Sequence, residues 1–170
     1  LPQAGRILVR HGDRVVDMVG ASPRLVLDVR RRTVGYVSQF LRVVPRVPAV
    51  EVVAEPLRAA GVPPHEARDR AREILGRLRI PERLWPLSPV TFSGGEQQRV
   101  NIARVFVMAY PMLLLDEPSA SLDAESRRIV VELIGEARGR GAAVLGTVHD
   151  PEVRARVATR VHTLAEPAVA

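Results

Sequence analysis

The sequence predicts an α/β fold in which helices cover a parallel sheet. Three observations carry that expectation. Apolar runs at 112–115 and 142–148 alternate with an amphipathic segment at 125–138 and a short helical one at 151–157. The run 112–115 is continuously apolar, as in a strand buried on both faces, and 142–148 reads as another buried strand. Finally, 170 residues that are 46% apolar suffice for one domain with a real core.

The elements follow in chain order. Residues 5–10 and 14–19 are β-rich, and His11-Gly12-Asp13 between them signals a hairpin. Residues 33–37 form a further strand candidate. From 50 to 78 the chain is helical in character, broken by Gly61, Pro63 and Pro64, and Ala67, Ala71, Ile74, Leu75 and Leu78 recur at helical spacing. Pro81, Pro86 and Pro89 make 81–89 an irregular connection. A helix spans about 95–109, and Ile129, Val130, Leu133, Ile134 and Ala137 give 125–138 its apolar face.

Composition excludes several classes. The chain has no cysteine, so disulfides and thiolate metal sites are ruled out. Its longest apolar runs fall far short of a membrane span, and no signal peptide is recognisable, so a cytoplasmic protein is expected. The net charge of +6 comes from arginine alone, since the chain has no lysine. These arginines are interspersed with carboxylates, as from Glu66 to Glu73, which reads as a solvated helix face and not as a nucleic-acid surface.

The chemistry begins at Ser93-Gly94-Gly95-Glu96-Gln97, a serine and two glycines opening a helix. Such a turn leaves backbone N–H groups facing an anion at the helix N-terminus, with the hydroxyl as a further donor. It also reads as an ordinary serine N-cap. Further on, the run 112–115 ends in Asp116 and Glu117. Two adjacent carboxylates at the end of a buried strand should face a cation or a polar ligand, because desolvating an unpaired charge is costly. In a phosphoryl-transfer site one such group serves Mg²⁺ and its neighbour orients or deprotonates water. Asp123 follows in Ser121-Leu122-Asp123, His149 ends the strand 142–148 where a ligand crevice belongs, and Gln39 follows the strand 33–37. Each alone has a bland reading, as a turn, a capping histidine or a surface glutamine.

Taken in order, these residues resemble an ABC-type nucleotide-binding domain. Gln39 matches the Q-loop, 93–97 the signature, Asp116 and Glu117 the end of Walker B, Asp123 the D-loop, and His149 the switch histidine. The resemblance implies ATP and Mg²⁺ as cofactors, with Asp116 and Gln39 at the metal. It makes Glu117 the catalytic base and His149 its companion at the water and γ-phosphate. It implies that Ser93, Gly94, Gly95 and Glu96 clamp ATP held by a second ABC-type subunit, and that Asp123 lies across that interface. Residues 31–46, 91–104 and 146–154 further resemble the L subunit of the carbon–phosphorus lyase system. That likeness implies a role in phosphonate breakdown, in ribose 1-methylphosphonate 5-triphosphate synthesis, within the lyase core complex.

The pattern departs from the family at its front. A phosphate loop needs a lysine and glycines at a set spacing; the chain has no lysine, and Gly5, Gly12 and Gly20 fit no such spacing. The expectation is therefore an ABC-type P-loop NTPase core lacking its first strand, phosphate loop and first helix. Its segments would be a hairpin and Q-loop strand at 1–39, a helical subdomain at 40–100, and an α/β core at 101–170. Alternatives to the phosphonate role are the ATPase of a membrane transporter, with the surface from Gln39 to Glu55 docking a permease helix, and a catalytically silent fragment.

Overall fold

A computed structural model of the chain describes residues 5–39, 41 and 45–163. Phe40, where the helical subdomain is expected to begin, and the outer ends of the first and last expected segments lie outside those residues.

The chain opens with an antiparallel hairpin, β1 (Leu8–His11) and β2 (Arg14–Asp17), turning through Gly12 at φ 59°. Helix α1 (Pro23–Arg32) follows and was not anticipated. Its start signals are nonetheless present: Ser22 caps Leu25 N–H and Pro23 takes the first helical position. Then come β3 (Val34–Val37), α2 (Ala49–Ala59), α3 (Pro64–Arg77), two 3₁₀ turns within 82–91, and α4 (Gly94–Phe106). The rest alternates: β4 (Met112–Asp116), α5 (Ala124–Gly139), β5 (Ala143–Thr147) and α6 (Pro151–Val157).

Strands β3, β4 and β5 form a parallel sheet in that order, with Val37 opposite Leu115 and Asp116 opposite Thr147. The register brings all three C-terminal ends to one side. The main core joins Leu113 and Leu115 of the sheet to α2, α3, α4 and α5, around Val53, Leu75, Val100, Ile102 and Ile134. A smaller cluster of Val9, Val16 and Val29 holds the hairpin to α1. That junction also carries a polar lock. Half-buried His11 sets Nδ1 2.6 Å from Thr33 Oγ1 and Nε2 3.0 Å from Asp28 Oδ2.

Two strand expectations need correction. β4 is buried on one face only, at Leu113 and Leu115, while Leu114 is half-buried. β5 is mostly exposed, with Leu145 at 65%. The reason is position: β5 is an edge of a three-stranded sheet, and α5 covers only one of its faces, at Val144. Apolar runs do not report how many neighbours a strand will have.

Candidate functional site

The site grows from the C-terminal ends of β4 and β5. Asp116 is the last residue of β4, and parallel pairing places Thr147 beside it. Thr147 Oγ1 donates to Asp116 Oδ1 at 2.9 Å, and the Tyr36 hydroxyl approaches Asp116 Oδ2 at 3.4 Å. The Glu117 N–H meets both Thr147 O and Thr147 Oγ1 at 3.2 Å. The chain then turns sharply, and Glu117 takes φ 49°, left-handed backbone that a side chain rarely adopts.

That turn aims the Glu117 carboxylate inward. Its side chain is only 16% exposed, against 91% for His149, whose Nε2 lies 2.9 Å from Glu117 Oε1. Proximity and hydrogen bonding disagree at this contact. The distance suits an ion pair when the imidazole is protonated, yet Oε1 is buried without a hydrogen-bond partner. Alignment decides, because hydrogen bonds weaken steeply off line. Glu117 Oε1 is thus a shielded acceptor left open. The next turn is tied down by Arg127, whose Nη1 donates to Asp150 Oδ2 at 2.7 Å. Asp150 caps α6, and the Val153 N–H it accepts holds its carboxyl below the ordinary range.

A second cluster lies at the start of α4. Ser93 is its N-cap in a full capping box: Ser93 N–H and Oγ donate to Glu96 Oε2 at 2.9 and 2.7 Å, and Glu96 N–H reaches back to Oγ at 3.4 Å. The Ser93 hydroxyl, more than the backbone, keeps the Glu96 carboxyl below its usual value. Gly94 and Gly95 supply the first N–H groups of the helix. A Cβ on Gly95 would sit 3.0 Å from Ser121 O, so this turn packs directly on the segment that leads to Asp123. Asp123 caps α5 by accepting from Ser126 N–H at 2.7 Å, the main reason its carboxyl is lowered. Arg99 bridges the two helices, with Nη1 3.5 Å from Ser126 Oγ and 3.7 Å from Asp123 Oδ2.

The expected residues therefore fall into two groups. Asp116, Glu117 and His149 meet, while Ser93, Gly94, Gly95, Glu96 and Asp123 gather around α4 and α5. No hydrogen bond or ion pair among the described residues joins the groups. Gln39 is exposed, one residue past Ser38, whose carbonyl accepts from Asn101 Nδ2 at 2.6 Å. Thr147, Tyr36, Asn101 and Arg99 were missed. Tyr36 and Thr147 share a face with Asp116 by the two-residue strand period, but only the register brings them together.

Among the described residues no three His, Cys, Asp or Glu side chains gather to hold a metal. A structural metal with a full protein shell does not fit. Magnesium does, since it keeps most of its waters and takes one or two carboxylates beside phosphate oxygens. Asp116 would hold it, with Glu117 Oε1 the open acceptor alongside.

A parallel sheet whose strand ends present such a carboxylate pair, in a chain whose α4 and α5 open on capped N-termini, is an α/β arrangement of the kind that nucleotide-handling domains use. Comparison with known proteins narrows this. Residues 1–120 match the family described as ABC transporter. The chain is 40% identical over 166 residues to the lipoprotein-releasing system ATP-binding protein LolD of Maricaulis maris, covering 97% of this chain and 70% of that protein. It is 35% identical to the arginine transport ATP-binding protein ArtP of Haemophilus influenzae, covering 95% and 66%. It superposes with TM-score 0.76 on the dimeric ATP-binding cassette MJ0796 bound to ADP and Pi, at 29% identity, over 84% of this chain and 63% of that one. The chain belongs to the ABC transporter family and has the ABC ATPase fold. It spans between 63% and 70% of the length of these proteins.

Proposed function

We propose that the protein is the ATP-binding, ATP-hydrolysing subunit of a membrane transport or release system, acting on the cytoplasmic side with a second ABC-type subunit. The observation that carries the hydrolytic reading is Glu117. A carboxylate held in left-handed backbone, with one oxygen shielded and unpaired beside a histidine, is arranged at a cost that packing alone does not require. Asp116 binds magnesium, which when present neutralises phosphate charge. Glu117 takes the proton of the attacking water, His149 reaches the same water and the γ-phosphate, and Gln39 closes on the metal side.

Ser93, Gly94 and Gly95 present their donors to a triphosphate held by the partner subunit, and Asp123 lies at that interface. The separation of this group from Asp116 and Glu117 supports such a division between subunits. For a phosphate to take the Ser93 hydroxyl, the hydroxyl must leave Glu96 Oε2, so Glu96 sets how readily the turn opens. The division of the chain at about residues 40 and 100 belongs to this proposal as well. α2 and α3 pack together and onto α4, which carries the signature turn. No helix among the described residues is long and apolar enough to cross a membrane, so the transport path would belong to another chain.

The carbon–phosphorus lyase assignment gives way here. Its supporting runs, 31–46, 91–104 and 146–154, coincide with the shared Q-loop, signature and switch segments, and the named relatives serve lipoprotein release and arginine transport. Size-exclusion chromatography with Mg-ATP tests the reading, on protein supplied with a phosphate-loop segment ahead of residue 1. Glu117→Gln keeps shape but loses the base, so hydrolysis should fall about 10²–10⁴-fold while ATP-dependent pairing persists. Ser93→Arg in that background should abolish the pairing, because a bulky cation at a helix N-terminus opposes its dipole. Unchanged hydrolysis in Glu117→Gln, or unchanged pairing with Ser93→Arg, defeats the assignment.

A further inference from the structure

The His149 side chain does little to fix its own place. Apart from its approach to Glu117 the ring has no partner among the described residues, and at 91% exposure it gains little from packing. Its position must come from the backbone on either side. Upstream, β5 ends at Thr147, which the register and the Glu117 N–H hold against β4. Downstream stands Asp150, the next residue in the chain.

Asp150 uses its two carboxylate oxygens differently. Oδ1 accepts from the N–H groups of Glu152 and Val153, at 2.9 and 3.2 Å, and so caps α6. Oδ2 accepts from Arg127 Nη1 at 2.7 Å, near the start of α5. A cap needs one oxygen only, and serine or asparagine would supply it. The bond to Arg127 is therefore not explained by capping. Both side chains are half-buried, where an ion pair is screened less than at the surface.

The far end of α6 is tied to the same helix. Arg138 Nη1, in the last turn of α5, donates to Val157 O at 3.0 Å. Two arginines of α5 thus hold both ends of a seven-residue helix that buries only Val153. A helix so short is marginal by itself, so α6 keeps its place through α5.

We propose that Arg127 and Asp150 are positioning residues for His149, holding its backbone so that the imidazole stays beside Glu117. The proposal rests on the hydrolytic reading for what His149 does there. Neither residue touches the reacting atoms: Arg127 acts through Asp150, and Asp150 through the peptide bond to His149. A pair that served only α5–α6 packing would change the melt. A positioning pair also changes how closely His149 keeps to Glu117.

NMR of the 170-residue chain with isotope-labelled histidine separates the two. Of the four histidine signals, the one lost in His149→Gln belongs to His149. Glu117→Gln should shift that signal, because Oε1 lies 2.9 Å from Nε2. Asp150→Asn keeps a capping oxygen but sets an amide N–H against Arg127, and Arg127→Met removes the donor. In either background the shift caused by Glu117→Gln should shrink by at least about twofold. Arg128→Met, one residue along and paired at the surface with Glu132, should leave it intact. In protein supplied with a phosphate-loop segment ahead of residue 1, Arg127→Met should lower kcat about 10- to 100-fold with KM for ATP little changed. Combined with His149→Gln it should lower kcat no further than His149→Gln alone, since a residue acting through another adds nothing once the other is gone. A Glu117-dependent shift of full size in both variants, or additive losses of kcat, overturns the proposal. Parental hydrolysis by His149→Gln would instead refute the hydrolytic role of His149, whereas the shift comparison tests the positioning by itself.

Discussion

Glu117→Gly should make the protein more stable, although it removes the residue assigned the central chemical role. Two costs meet at this position. Left-handed backbone at φ 49° costs a residue with a Cβ on the order of 1–3 kcal/mol, and glycine adopts it freely. The shielded Oε1 has no hydrogen-bond partner, a further penalty of about 1–3 kcal/mol. Against these stand the greater chain entropy of glycine, about 0.5–1 kcal/mol, and the lost packing of two methylenes, roughly 0.8 kcal/mol each if fully buried. The balance is a gain of about 1–2 kcal/mol, or about 2–8 °C in Tm for a chain of this size. Glu117→Ala isolates the backbone contribution, because it removes the carboxylate but keeps the Cβ. Urea denaturation of the three proteins at pH 7, with equal m-values, reads the differences directly. Elsewhere alanine is ordinarily favoured over glycine, so the expected order here, glycine above alanine, is an inversion. If alanine matches or exceeds glycine, Glu117 is not strained, and the reasoning from strain to chemistry fails.

Gly146→Ala should cost about 1–3 kcal/mol, because its Cβ would lie 2.8 Å from the Leu115 carbonyl oxygen, which is backbone and cannot step aside. Gly135→Ala, in open space on α5, should instead stabilise by up to about 1 kcal/mol, and chemical denaturation of the pair checks both signs. The Asp28 carboxyl is lowered, chiefly by its hydrogen bond with His11, so its folded pKa lies below the unfolded value of about 3.9. Its contribution is therefore full above that value and lost as pH falls through the folded one; thermal melts of the parent and Asp28→Asn should converge in strong acid, and a gap that persists there contradicts the lock. Lacking lysine, the 170-residue chain should show no Mg-ATP binding by calorimetry below a Kd of about 1 mM, and a tighter value would show that other groups can hold the triphosphate.

How far the sequence could be read depended on the range of the interactions involved. α3 and α5 were legible because their apolar residues recur along one local face, and the turn at Gly12 because a hairpin is closed by its own residues. The burial of β5 was not legible, since an apolar run looks the same at the centre of a sheet and at its edge. Helix α1 carried Ser22 and Pro23 as start signals, but Leu25, Val26, Leu27 and Val29 make a short apolar run of the kind that suits helix and strand alike. Thr147 and Tyr36 were out of reach for a different reason: their place beside Asp116 is a matter of register, which no local pattern encodes.

The site residues divide along the same line, and the division bears on what geometry can argue. Ser93 and Asp123 have a bland reading as helix caps, and they do cap α4 and α5, Asp123 with a bond of 2.7 Å and Ser93 with a longer one of 3.4 Å inside its capping box. A cap and an anion-binding turn need the same thing, a short polar side chain beside unpaired N–H groups, so capping geometry cannot separate structure from function. Glu117 is different. A structural carboxylate would gain by turning its free oxygen to solvent or to a donor, and a structural turn would gain by carrying glycine. Glu117 does neither: its backbone is left-handed, its oxygen is shielded, and the imidazole at 2.9 Å is out of line to satisfy it. Stability would favour glycine there. That conflict between stability and residue identity separates function from fold at this one position, and it is why the hydrolytic reading rests on Glu117 and not on the longer list of matching motifs.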